Sequence, residues 1–126
     1  MYILNFYAAW IGILFGFVTG AILGLFFYNE DWMGGYSSWR RRMARLGHIS
    51  FFGLAIINLI YSISGPVFDI QVSTQYPSYL FIAGAITMPL VCFLSAYKPF
   101  FRHVFFIPVL CLVGGAVVFF TKGLMI

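Results

Sequence analysis

The chain has 126 residues, of which 63% are apolar, 21% aromatic and 8% charged. About a quarter of a soluble domain is charged, and seven Lys or Arg with three Asp or Glu cannot hold a body of this size in water. Lipid is the solvent that fits, and the composition excludes an ordinary soluble globule. The net charge of +4 does not point to nucleic acid, because the basic residues lie in connections too short to form a basic surface.

The first apolar stretch runs from about residue 3 to 28 and ends at Asn29-Glu30-Asp31. It lacks a basic leader and exceeds a signal-peptide core of about 7–15 residues, so it is read as a retained helix. Within it Ala8, Gly12, Gly16, Gly20 and Gly24 recur every four residues. Such a glycine zipper lets two helix backbones approach closely in lipid, where packing replaces the hydrophobic effect. The spacing does not say whether the partner helix lies in this chain or in another. Trp10 sits too deep for the membrane interface, whereas Trp32, Tyr36, Trp39, Tyr76, Tyr79 and Tyr97 fall where an aromatic belt belongs.

Gly34-Gly35 opens a loop, and Ser37 or Ser38 suits the N-cap of a second helix over about 39–64. That helix begins on Arg40, Arg41, Arg42 and Arg45, a cluster suited to anionic lipid headgroups, and is expected to stop at Gly65-Pro66. His48 lies about one turn past Arg45. Asn58 lies near mid-span, where a buried amide seeks a partner on another helix, with the small-residue stripe or Thr87 as candidates. Pro77 suits the first turn of a third helix over about 77–97, which Pro89 should kink. A short basic connection, Lys98 to His103, leads to a fourth helix over about 103–120.

The fold expected is therefore an all-α integral membrane protein, one membrane domain of four helices in an up-down-up-down bundle. The first and third connections hold six basic residues, Arg40, Arg41, Arg42, Arg45, Lys98 and Arg102, against Lys122 alone at the other end. The positive-inside rule then puts the basic end in the cytoplasm and both termini on the non-cytoplasmic side, as in a bacterial inner membrane protein.

Three functional readings follow. The first is a small subunit of a larger respiratory or photosynthetic membrane complex, acting through helix packing and lipid contacts, with no catalytic activity of its own. The second is a redox protein carrying haem b. His48 and His103 start different helices at the same end, so they form the candidate axial pair, with Arg45 and Arg102 near enough to pair with propionates or lipid headgroups. The third is a small oligomeric transporter or channel, disfavoured because no helix centre carries Asp, Glu, Lys or Arg. Membrane lipids and other membrane subunits are the expected partners. No phosphate loop, zinc motif or nucleophile–base pair is present in the sequence.

Overall fold

Four long apolar segments, each able to satisfy its backbone internally, form the helices that lipid permits. The computed structural model describes residues 2–125. It places α1 at Ile3–Phe26, α2 at Trp39–Phe68, α3 at Tyr76–Tyr97 and α4 at Phe106–Phe119, with short 3₁₀ turns at Trp32–Gly34 and Pro99–Val104. A π-helical turn, Phe120–Leu124, extends α4. The 24 residues of α1 rise about 36 Å, enough to cross a hydrocarbon core of about 30 Å. Consecutive helices run antiparallel and pack in chain order, α1 on α2, α2 on α3 and α3 on α4.

Glycine sets each crossing. A Cβ on Gly12 would lie 3.1 Å from the Ala55 methyl and 3.3 Å from the Phe51 carbonyl, and one on Gly16 would strike the Phe52 ring. Gly47 accommodates Phe93 and Cys92 between α2 and α3. Gly84 takes Leu112, and Gly115 takes Phe81, between α3 and α4. The α1 stripe thus serves α2 of the same chain through Gly12, Gly16 and Gly20, while Gly24 faces open space. Sequence spacing revealed the stripe but not Gly47, Gly84 or Gly115, which belong to no four-residue repeat.

Two helix ends, the end of α2 and the start of α4, depart by three or four residues from the sequence expectation, each in connection with a proline. Helix α2 does not stop at Gly65-Pro66 but continues to Phe68. Pro66 removes only the donor that would serve Ser62, and the Ser62 carbonyl instead accepts the Tyr2 N–H at 3.3 Å. The helix ends where Asp69 turns left-handed at φ 53°, a conformation that Asp tolerates better than most residues. Helix α4 begins at Phe106 rather than His103. That start puts Pro108 in the first turn, where no backbone donor is needed. His103 consequently lies in the preceding 3₁₀ turn.

The low-charge end is held by aromatic packing. Tyr2 stacks on Tyr61 at 4.5 Å, and Tyr61 meets Phe81 of α3 and Phe119 of α4 edge-on at 5.3 and 5.4 Å. At the basic end the Trp39 indole N–H donates to the Ser95 carbonyl at 2.8 Å, joining the start of α2 to the end of α3.

Candidate functional site

Two polar constellations lie inside the spanning region. The first is formed by Asn5, Asn58 and Ser78, from α1, α2 and α3. Asn5 Nδ2 donates to Asn58 Oδ1 at 2.7 Å and to the Ser78 carbonyl at 3.2 Å. Asn58 Nδ2 donates to the carbonyls of Leu54 at 2.9 Å and Phe81 at 3.3 Å. The Ser78 hydroxyl donates back to Asn5 Oδ1. Both asparagines are fully buried, and all four amide hydrogens have acceptors. This bracket clamps three helices together. Asn58 therefore finds Asn5, not Thr87, whose hydroxyl bonds its own helix at the Ala83 carbonyl. Asn5 escaped sequence reading because an asparagine so near a helix start reads as interfacial.

The second constellation surrounds His48. Its Nδ1 lies 3.2 Å from Thr19 Oγ1 on α1. The Thr19 hydroxyl has one hydrogen, committed to the Phe15 carbonyl at 2.7 Å, as β-hydroxyls in helices commonly are. With that hydrogen on its own helix, at Phe15 or at the Gly16 carbonyl 3.3 Å away, Thr19 Oγ1 is placed to accept from His48 Nδ1–H, and in a neutral ring of that tautomer Nε2 carries the lone pair. The ring lies over Gly20, where a Cβ would come within 2.6 Å of Cε1, and meets Phe52 edge-on at 5.5 Å. Gly20 thus admits the imidazole between the helices. An Nδ1–H anchored by a neighbour with Nε2 open is also the arrangement of metal-ligating histidines.

His103 is exposed and packs edge-on against Phe100 at 5.8 Å. It shares no hydrogen-bond or ring neighbour with His48 among the described residues. Arg102 is exposed on the same turn. Arg45 is drawn to the preceding loop, donating to the Tyr36 carbonyl at 3.2 Å with its guanidinium 4.0 Å above the Tyr36 ring. No cluster of three or more His, Cys, Asp or Glu with metal-binding geometry occurs among the described residues.

The arginine triplet divides. Arg40 and Arg42 are exposed and available to lipid headgroups, but Arg41 is not: it is 3% exposed. Arg41 donates to the carbonyls of Phe27 at 2.9 Å and Glu30 at 3.3 Å, and its guanidinium stacks on Phe27 and Trp32. It caps α1 at the C-cap Phe27, where unpaired carbonyls carry the negative end of the helix dipole, and ties down the loop at Glu30. The sequence expectation that all three meet lipid is corrected for Arg41 by helical geometry, since successive residues point about 100° apart.

A long apolar groove lies between α1 and α3, floored by α2. Its volume is about 570 Å³. Ala8, the first residue of the small-residue stripe, lines it, so that residue leaves space instead of filling a helix crossing.

The fold and these sites define an integral membrane protein with four helices long and apolar enough to span the bilayer. Set against protein-family models, curated proteins and solved structures, the chain matches none of them.

Proposed function

We propose that this chain is a small integral membrane subunit of a larger membrane protein complex, in a bacterial inner membrane with its basic end cytoplasmic, and that it holds partner helices through the outer face of α1. The observation that carries this reading is Trp10. It lies about 10 Å into α1, well inside hydrocarbon, yet its side chain is 54% exposed and its indole N–H has no acceptor among the described residues. Tryptophan ordinarily stays at the interface, where that donor is wet. Trp10 and Leu14 are exposed four residues apart on this face, with Tyr7 at its edge towards α3 and Phe17 at its edge towards α2, so Trp10 stands at the centre of an open helix surface. The stripe on the opposite side is already engaged with α2. A photo-crosslinker placed at position 10 in the native membrane is expected to capture one membrane protein, the same one that Trp10→Ala loses on mild-detergent purification. Crosslinking to lipid alone, from a chain that purifies as a monomer, overturns the proposal.

A second reading, haem b bound by the protein, draws support from His48 Nε2, which has no hydrogen-bond partner among the described residues. In this reading His48 is an axial ligand anchored by Thr19, and His103 is not needed. The purified protein is then expected to show a Soret band that His48→Ala abolishes and His103→Ala preserves. A colourless, folded preparation removes this reading.

A further inference from the structure

We propose that haem iron held by His48 has no second protein ligand, so that its sixth position binds a small neutral molecule of the carbon monoxide type. The inference rests on the haem reading above and adds to it a coordination number and a ligand class. Its starting point is His48 Nε2, which has no hydrogen-bond partner among the described residues yet is not sealed inside protein. The buried unpartnered side-chain atoms among those residues belong to Arg41, Tyr61 and Ser95. The half-buried ring of His48 therefore brings Nε2 to the surface of the α1–α2 pair. Gly20, under that ring, lies six residue steps from the end of α1, or about 9 Å inside it. Water would hydrate a free lone pair, but in hydrocarbon the lone pair calls for a donor or a metal.

The surroundings favour a metal that brings its other ligands along. A bare ion needs several protein ligands, and no group of three or more His, Cys, Asp or Glu with suitable geometry occurs among the described residues. A porphyrin supplies four nitrogens of its own and asks the protein for axial ligands only. Thr19 holds Nδ1–H, which orients the imidazole as metal-binding histidines are oriented. The seam beside the ring is also open. Phe52 fills it at Gly16 and His48 at Gly20, but a Cβ on Gly24 would meet nothing within 4 Å.

A second axial ligand is not at hand. One turn either side of His48 on α2 stand Ala44, Arg45, Phe51 and Phe52, none of which binds iron. Met43 precedes His48 by five positions, about 140° round the helix. Cys92 is fully buried against Gly47 between α2 and α3. His103, exposed in the 3₁₀ turn before α4, shares no hydrogen-bond or ring neighbour with His48 among the described residues. Histidine with methionine closes the iron of electron-carrying cytochromes c, whereas one proximal histidine leaves a globin iron open to a ligand. The ligand census here is of the second kind. Neutral diatomic molecules dissolve in hydrocarbon and so reach a site inside the span.

The test uses the full chain purified in mild detergent, loaded with haem and reduced with dithionite. Visible spectra are recorded before and after carbon monoxide is added, and haem per chain is counted. The expected result is a high-spin spectrum that carbon monoxide converts, at one haem per chain. His103→Ala is expected to match wild type. Thr19→Val, which removes the acceptor for Nδ1–H, is expected to hold haem about 10–100-fold more weakly. His48→Gly is expected to lose haem and to regain it with added imidazole, a rescue that a misfolded chain cannot give. A low-spin spectrum indifferent to carbon monoxide overturns the inference while leaving haem at His48. If one haem is then shared by two chains, the second ligand is the His48 of another copy. Haem retained by His48→Gly without imidazole overturns the inference as well. A folded chain that takes up no haem removes the haem reading itself, and the inference with it.

Discussion

Asn58→Ala is expected to destabilise the protein by about 2 kcal/mol in reversible unfolding from mixed micelles into dodecyl sulfate. The amide hydrogen that Asn5 gives to Asn58 would be left in a site from which both helices and lipid exclude water. An orphaned buried donor costs about 1–3 kcal/mol, and the small void left by the side chain adds to it. Interhelical hydrogen bonds in membrane proteins average only about 0.6 kcal/mol because the unfolded chain in lipid also finds partners, so the larger figure depends on the orphaned donor. The double mutant separates the two contributions. Asn5→Ala with Asn58→Ala removes both ends of the bond, and its cost should fall short of the summed single costs by about 1 kcal/mol. Ser62→Ala is the internal control. The Ser62 hydroxyl bonds its own helix at the Leu59 carbonyl, so its loss should cost less than about 0.5 kcal/mol. Strict additivity of the two asparagine variants would show that the bracket does not couple α1 to α2.

The sequence made the four spans legible because hydropathy over twenty residues is a strong, local signal, and their charged connections stand out against it. It also made the glycine stripe legible, since four-residue spacing maps directly onto one helix face. The direction of that face was not legible. Only the contacts of Gly12 with Ala55, Gly16 with Phe52 and Gly20 with His48 assign it to α2. Asn58 stood out as a polar residue in an apolar run, but its partner is 53 positions away, and nothing in local pattern links the two. His48 was visible as an embedded imidazole, whereas its tautomer depends on Thr19, which reads as an ordinary helix residue. His103 looked like its counterpart because both follow arginines at a helix start. Pro108 breaks that likeness by moving the start of α4 three residues on. Pro66 misleads in the opposite sense: the carbonyl it frees accepts the Tyr2 N–H, and the helix runs on to Phe68.

Arg41→Lys is expected to cost about 2–3 kcal/mol, while Arg40→Lys and Arg42→Lys cost nothing measurable. All three changes keep six basic residues in the first and third connections, so a difference among them cannot come from charge counting. It comes from shape. The guanidinium reaches two carbonyls at once, Phe27 O and Glu30 O, and its carbon sits 4.8 Å from the Phe27 ring centre and 5.7 Å from that of Trp32. A hydrogen bond from a charged donor is worth about 1.5–3 kcal/mol, and an ammonium at the end of a flexible stem cannot make both while stacking. The buried Nε of Arg41 has no acceptor among the described residues, which offsets part of that gain and keeps the expected loss below the sum of two such bonds. Unfolding in dodecyl sulfate reads the stability, and labelling of single cysteines at the two ends reads the orientation. The expected result is a weakened fold with unchanged labelling for Arg41→Lys alone. Equal stability of the three variants would mean that the α1 terminus needs only nearby charge. A flipped labelling pattern in Arg41→Lys would mean that the α1 cap, and not the count of basic residues, decides which end of the protein stays behind during insertion.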